Sequence, residues 1–561
     1  AMEMMLVAGY SGIGKSVLVH EIHKPILQKQ GYFISGKFDQ FQRNIPYAPF
    51  IQAFQELVQQ ILTQPEVQIE HWKQQLLGAL GSNGQVIIEV IPEVELIIGK
   101  QPSVPELPPT ESQNRFNWVF QNFVQIFSSE AHPLVIFLDD LQWVDLPSLK
   151  LIEVFLTGFQ TKYILLIGAY RDNEIGGTHP LMLSLDKLRK ENSIVHTIVL
   201  EPLNLKDVNQ LVADTLRSDV EQSKALSELC FQKTGGNPFF LNQFLQTLYQ
   251  ENDIVFKRSK GIWEWDMEEI RKKDMTDNVV ELMAGKIQKL AEETQHILKL
   301  AACIGNRFDL KTLSIVSQKS SIPTAKALWE AIKEGLILSI DDNDEIFIVE
   351  SDLTNNNDSS NFTAHYKFLH DRVQQAAYSL VEEDQKKALH LKIGRLMLKN
   401  ISDDKREGRL FDIVNQLNQG IELIDDPSER NDLAALNLLA GKKAKTSTAY
   451  DPAYNYLKIG LSLLAENSWK LKYDLTLSLY TEAAESAYLS GDFEGMEQLI
   501  EVVIKKANTL LDKVKIYEVK IQAYIAQNRS LEAVDIALSI LKELGIQFPQ
   551  KPNKLHVLYA I

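Results

Sequence analysis

The chain has 561 residues, 45% of them hydrophobic and 24% charged, with a formal net charge of −16. This is the balance of a folded globular polypeptide long enough for roughly three to five domains. No apolar run reaches the roughly eighteen residues of a membrane span, and the acidic total argues against a protein that tracks a nucleic-acid backbone.

The start, "AMEMMLVAG", is neither a signal nor a transit peptide. It opens almost directly on a strand, and the end, "KLHVLYAI", stops inside an apolar pattern, so both ends read as cuts within a longer polypeptide. Cys230 and Cys303 are far apart and lack metal-ligand spacing, which suits a reduced, cytoplasmic setting.

The first element is strand-like Met5–Ala8. The loop Gly9-Tyr10-Ser11-Gly12-Ile13-Gly14-Lys15-Ser16 follows, and then a helix-like run Val17–His23. It matches GxxxxGK[ST] in full, in the strand–loop–helix context the motif needs. Glycines let backbone N–H groups turn inward onto phosphates, and the following helix N-terminus adds a favourable dipole. Gly9, Ser11, Gly12, Ile13, Gly14, Lys15, Ser16 and Val17 are therefore the candidate nucleotide-binding residues, with Lys15 on the β- and γ-phosphates and Ser16 on Mg2+. His20 and His23 in "HEIH" have no third ligand after them and read as solvated helix residues.

"GYFISGKFDQ" (31–40) predicts a second strand, and "HPLVIFLDDLQWVD" a third, buried parallel strand over Leu134–Leu138 that ends in two acids. Such an end lies at the ligand edge of a parallel sheet. Asp139 is placed to hold the water on Mg2+, and Asp140 to orient or deprotonate the attacking water. "YILLIGAYRDNEI" ends a fourth strand at Arg171, whose guanidinium can sense the γ-phosphate or neutralise transition-state charge; a plain surface arginine is the competing reading. "IVHTIVLEPL" (194–203) makes a fifth. The expectation is a five-stranded parallel α/β sheet over 1–203.

From 204 to 276 helical periodicity takes over. The break Gly235-Gly236-Asn237-Pro238 stops one helix and opens the next, with Pro238 at N1. Over 277–380, helices give way to short strands around "LILSI", "EIFIV" and "HYKFL", separated by polar "DLTNNNDSSN". Helices before a short hairpin look like a winged helix; "IPTAKALWEAIKEG" has few clustered Lys or Arg, against a DNA-reading role. From 384 to 561 there is almost no strand signal. Blocks with small residues at Ala444, Ala487 and Ala523 recur at a spacing loosely like the tetratricopeptide period of about 34, which predicts a TPR-like α-solenoid with a protein-binding face.

The P-loop, "DDLQWVD", "YRDNE" and "GGNP" together resemble the STAND class of signal-transduction ATPases, AAA+-related switches. The chain is most similar to the AAA-type ATPase modules of bacterial multi-domain sensor kinases, and "GKFDQFQRNIPYAPF" and "VPELPPTESQNRFNWVF" strengthen that likeness. The resemblance implies ATP or ADP with Mg2+ as cofactors and a slowly hydrolysing ATPase. It also implies a neighbouring serine/threonine kinase, with GAF and histidine-kinase domains, in the native chain. Pro238 would lie against the adenine, and the winged helix would pack on the nucleotide domain. Leu369-His370-Asp371 resembles the "MHD" motif, whose histidine touches the β-phosphate of ADP; a half-buried helix histidine is the alternative. Relatives carry a segment before the first strand with a Gly-Arg-Glu-like motif, absent here, which puts adenine affinity in doubt. Two other readings stay open: a nucleotide-stabilised interaction scaffold without turnover, and a winged-helix transcription regulator.

Overall fold

In the computed structural model the described residues are 2–40, 43–158, 162–191, 193–272, 276, 278–340, 364–402 and 406–546. The expected strand "EIFIV", the polar stretch after it and the apolar end of the chain lie outside them. Among the described residues, no helix is long and apolar enough to cross a membrane.

Five strands form one parallel sheet: β1 (Glu3–Ala8), β2 (Tyr32–Lys37), β3 (Leu134–Asp139), β4 (Ile164–Tyr170) and β5 (Val195–Val199). Their order is β2-β3-β4-β1-β5. The P-loop strand and the acid-bearing strand are therefore not neighbours; β4 runs between them, so their chemistry meets only beyond the strand ends. β3 is apolar at successive positions because both of its faces are covered, as the continuous run "LVIFL" requires. On one face Val7, Val135, Phe137, Ile167 and Ala169 pack with Val19 from the helix after the P-loop. An aromatic cluster of Phe50, Phe54, Phe120, Phe123 and Phe155 adds a second core, with ring centroids 5.1 to 6.3 Å apart. β5 lies at the sheet edge and is largely exposed.

Helices Leu205–Leu216, Val220–Thr234 and Pro238–Gln250 follow, with a core built around Val212, Leu226, Leu241 and Phe244. A hairpin of β6 (Ile254–Lys257) and β7 (Ile262–Trp265) closes this region. The helical periodicity of the flanking residues hid it: each strand has only four residues. Helices Val279–Gln288, Glu292–Ile304, Leu310–Ser317 and Ser321–Lys333 come next, with three short antiparallel strands, β8 (Arg307–Asp309), β9 (Ile337–Ser339) and β10 (His365–Phe368), of which β10 is central. Helices Asp371–Ser379 and Glu383–Asn400 end this part.

The chain divides into two compact units. One holds 1–43, 47–103 and 119–402, so the segments expected as nucleotide, lid and winged-helix domains form a single unit. The other holds 44–46, 104–118 and 403–561. Segment 104–118, which the sequence pattern places in the nucleotide domain, thus groups with the C-terminal helices, where the Tyr450 hydroxyl donates to the Pro109 carbonyl at 3.2 Å. Within this second unit, helices Pro427–Thr446, Tyr450–Leu463, Tyr473–Ser490, Phe493–Lys506, Leu510–Ala526 and Ser530–Glu543 pack in sequence order, a solenoid-like region. Small residues let the helices approach: a Cβ at Gly441 would sit 2.6 Å from Leu457, and Ala444, Ala487 and Ala523 are fully buried.

Candidate functional site

The loop after β1 depends on glycine. Gly9, Gly12 and Gly14 have φ of 147°, 79° and 103°, a region closed to most side chains. At Gly12 space decides as well, since a Cβ would lie 2.8 Å from the Asn237 side-chain oxygen. Helix Lys15–His20 begins at the motif lysine. The Lys15 side chain is buried and its ammonium donates to the Gly9 and Tyr10 carbonyls, both at 2.8 Å. Burial pushes its pKa down, against the pull of Asp139 and Asp140. Ile13 is buried beneath the loop, while Val17 is 70% exposed.

The Ser16 hydroxyl donates to Asp139 Oδ2 at 2.8 Å, so the P-loop and the β3 acid meet across the end of β4. Burial, then the neighbouring Asp140 carboxylate, pushes the Asp139 pKa up despite Lys37 and Ser16. An acid so under-compensated, with a hydroxyl beside it, suits a divalent cation. A glycine loop that opens onto a helix N-terminus, with a buried ammonium beside it, suits a polyphosphate. On these grounds the residues present fit a magnesium nucleotide.

Asp140 differs from its neighbour. It takes a left-handed conformation, φ 56° and ψ 46°, just past the end of the strand. Lys37 Nζ lies 2.9 Å from Oδ2, and Gln142 donates to Oδ1 at 2.8 Å. Arg171 Nε lies 3.5 Å from the same Oδ1. Burial pushes the Asp140 pKa up, but Lys37 and Arg171 outweigh it and hold the carboxyl well below its usual range. Arg171 itself is 2% exposed, so the plain surface-arginine reading is wrong. It stacks over Trp143 at 4.7 Å and donates to Glu174 at 2.7 Å and to Asp371.

Asp371 belongs to the helix that starts after His370, and with it the third region reaches the P-loop. His370 is the N-cap: its Nδ1 accepts the Arg372 backbone N–H at 3.1 Å. Its ring stacks on Phe239, centroids 4.2 Å apart. Burial, followed by Lys37 and Arg171, drives its pKa well down. The Asp140 carboxylate pulls the other way, but burial and the cations prevail and leave a neutral imidazole; the Asp371 carboxylate lies 2.6 Å from Nδ1. Arg372 Nε donates to the Ser11 hydroxyl at 3.3 Å. From the "GGNP" turn, Asn237 donates to the Ser11 carbonyl at 2.7 Å, and the Phe239 N–H donates to the Gly12 carbonyl at 3.1 Å. Pro238, between them, is half-buried at the first turn of its helix. Lys37, Phe239 and Arg372 join the site without having been singled out in the sequence, and Asn237 and Asp371, noted only as parts of their motifs, join it with no role assigned to them. "GKFD", "GGNPF" and "LHDR" hold them beside the motifs, but only the fold says that they converge.

One nearby acid yields a pH prediction. Asp145 caps helix Leu146–Thr157, accepting from the Ser148 N–H at 2.9 Å and hydroxyl at 2.7 Å. Burial raises its pKa from 3.8 to about 6. A raised folded-state pKa stabilises fully below the unfolded value and loses that contribution as pH climbs through the folded one. Asp145→Asn keeps the cap acceptor without the charge. Its melting temperature should exceed wild type at pH 8 and converge with it at pH 4; a gain equal at both pH values would contradict this.

A P-loop, a magnesium-suited acid and a five-stranded parallel sheet define a P-loop nucleotide-binding domain. Residues 1–167 match the AAA ATPase domain family. The hybrid signal transduction histidine kinase G of Dictyostelium discoideum is 33% identical over 97% of this chain and 19% of its own length. The peroxide stress-activated histidine kinase mak3 of Schizosaccharomyces pombe is 20% identical over 90% of the chain and 22% of its own. The chain thus spans about a fifth of the length of these relatives. A solved Signal Transduction ATPase with Numerous Domains (STAND) protein with a tetratricopeptide repeat sensor, from Pyrococcus horikoshii, is 13% identical with a TM-score of 0.41, over 97% of this chain and 69% of that one. Residues 1–167 thus carry an AAA-type P-loop ATPase domain, and the chain as a whole is similar to a segment of histidine kinases.

Proposed function

We propose that this chain is a regulatory ATPase switch, in which nucleotide state biases how the 364–380 region packs on the P-loop. The observation that carries the reading is the reach of one helix start to both ends of the site, with Arg372 on Ser11 and Asp371 on Arg171. A nucleotide shifts such packing only through its different affinity for the two arrangements. Gly9, Ser11, Gly12, Ile13, Gly14, Lys15, Ser16 and Val17 would hold the phosphates, and Ser16 with Asp139 the Mg2+. The bound cation would neutralise charge on the phosphates. Asp140, kept ionised by Lys37 and Arg171, suits orienting an attacking water more than storing its proton. Arg171 is committed to Asp371 here, so serving the γ-phosphate requires it to release that partner. Pro238 would face the adenine, and His370, neutral with Nε2–H free to donate, the β-phosphate of ADP.

The segment 277–380 acts as a winged helix packed on the nucleotide domain, and the C-terminal solenoid as a TPR-like protein-docking surface. In a longer polypeptide like the histidine kinases it matches, the switch would govern signalling output.

Mg2+-dependent phosphate release tests the enzymatic part. Slow release by wild type should fall about a hundredfold in Asp140→Ala, the usual scale for losing a residue that handles the nucleophile's proton or position. Unchanged release in the variant would remove Asp140 from the mechanism. Nucleotide binding without any release by wild type would leave a scaffold instead.

A further inference from the structure

Helices Glu292–Ile304 and Glu383–Asn400, with the turn before the second, flank an open pocket of about 390 Å3 that shares no lining residue with the nucleotide site. Its floor is apolar, made by Leu300, Val381 and Leu389 among others. Its rim is basic: the ammonium groups of Lys299 and Lys392 line it together with the His296 imidazole, a neutral donor. Among the described residues none of these three makes a hydrogen bond or ion pair. Nearby lysines are treated differently, since Lys319 pairs with Glu293 at 2.6 Å and Lys386 with Glu383. In a chain of net charge −16, three unpaired bases at one mouth stand out. They are close enough to matter to each other, because Lys392, Lys319 and Lys299 add to burial in pushing the His296 pKa down. The lining acid, Glu382, is engaged by Gln385.

We propose that this cavity binds a small amphipathic anion, with its apolar body on Leu300, Val381 and Leu389 and its charged head held by His296, Lys299 and Lys392. The volume falls in the range of small-molecule sites, roughly 300–1,000 Å3. An apolar floor with a few convergent polar groups is their usual make-up. A carboxylate or a phosphate head satisfies the rim equally, so the probes must separate them.

The test is calorimetric titration of the full chain with decanoate below its micellar concentration, decyl phosphate, decyltrimethylammonium and inorganic phosphate. Saturable 1:1 binding is expected for one or both anionic amphiphiles, and none for the cation or for phosphate alone. Lys392→Glu should weaken binding at least tenfold, and Ala388→Trp, at the exposed edge of the cavity, should abolish it. Both positions are exposed, so unchanged melting curves are expected to show that the variants fold. Equal binding of decyltrimethylammonium, or anion binding indifferent to both substitutions, would overturn the proposal. So would sedimentation with phosphatidylglycerol vesicles without saturable uptake of either free anion.

Discussion

Arg171→Ala is expected to destabilise the first unit more than Asp371→Ala does, although the two residues form one ion pair. The reason lies in what each substitution leaves behind. Arg171 is surrounded by three acids, Asp140, Glu174 and Asp371. Without Asp371 the guanidinium still has two partners. Without Arg171 the Asp371 carboxylate stays buried beside a neutral histidine, and Asp140 keeps only Lys37 and Gln142. Orphaning a buried charge costs about 3–5 kcal/mol. Losing one hydrogen bond to a guanidinium that stays compensated costs about 1–2 kcal/mol. The double variant should therefore be more stable than Arg171→Ala alone, which a denaturation cycle reads directly. Equal losses for the two single variants, or strict additivity, would show that the pair is not coupled.

The second large effect is expected at Lys15. Saturating Mg–ATP or ADP, at about a hundred times its dissociation constant, should stabilise the wild-type fold by about 2.7 kcal/mol. Lys15→Ala should show no such shift. Its own fold should be only slightly weaker, because the ammonium contributes two hydrogen bonds to loop carbonyls that water can reach once the side chain is gone. Differential scanning fluorimetry with and without nucleotide separates the two effects. A ligand-induced shift retained in Lys15→Ala would move the phosphate site elsewhere.

Much of the nucleotide domain was legible because its signals are local. A buried strand announces itself by an unbroken apolar run, as at 134–138, and the P-loop by glycines where φ must be positive. Those features need no knowledge of what lies across the sheet. What was not legible is long-range. The insertion of β4 between β1 and β3 follows from no single segment. Arg171 read as a surface residue or a phosphate sensor; only the fold brings it an acid 200 positions away. Pro238 drew attention as a helix opener, yet the direct hydrogen bonds to the P-loop come from Asn237 and Phe239 on either side. The hairpin at 254–265 escaped because strands of four residues carry too few alternations to register against helical neighbours. The grouping of 104–118 with the C-terminal helices had no compositional marker.

In this switch the P-loop and the helix beginning at His370 would sense each other through whatever fills the site. Hydrogen exchange across 371–379, in the presence of ADP and then of Mg2+ with a non-hydrolysable ATP analogue, examines that most directly. Slower exchange with ADP than with the analogue, by a margin that disappears in His370→Ala, is the predicted result. Identical protection under both nucleotides, with binding of each verified in the same samples, would contradict it.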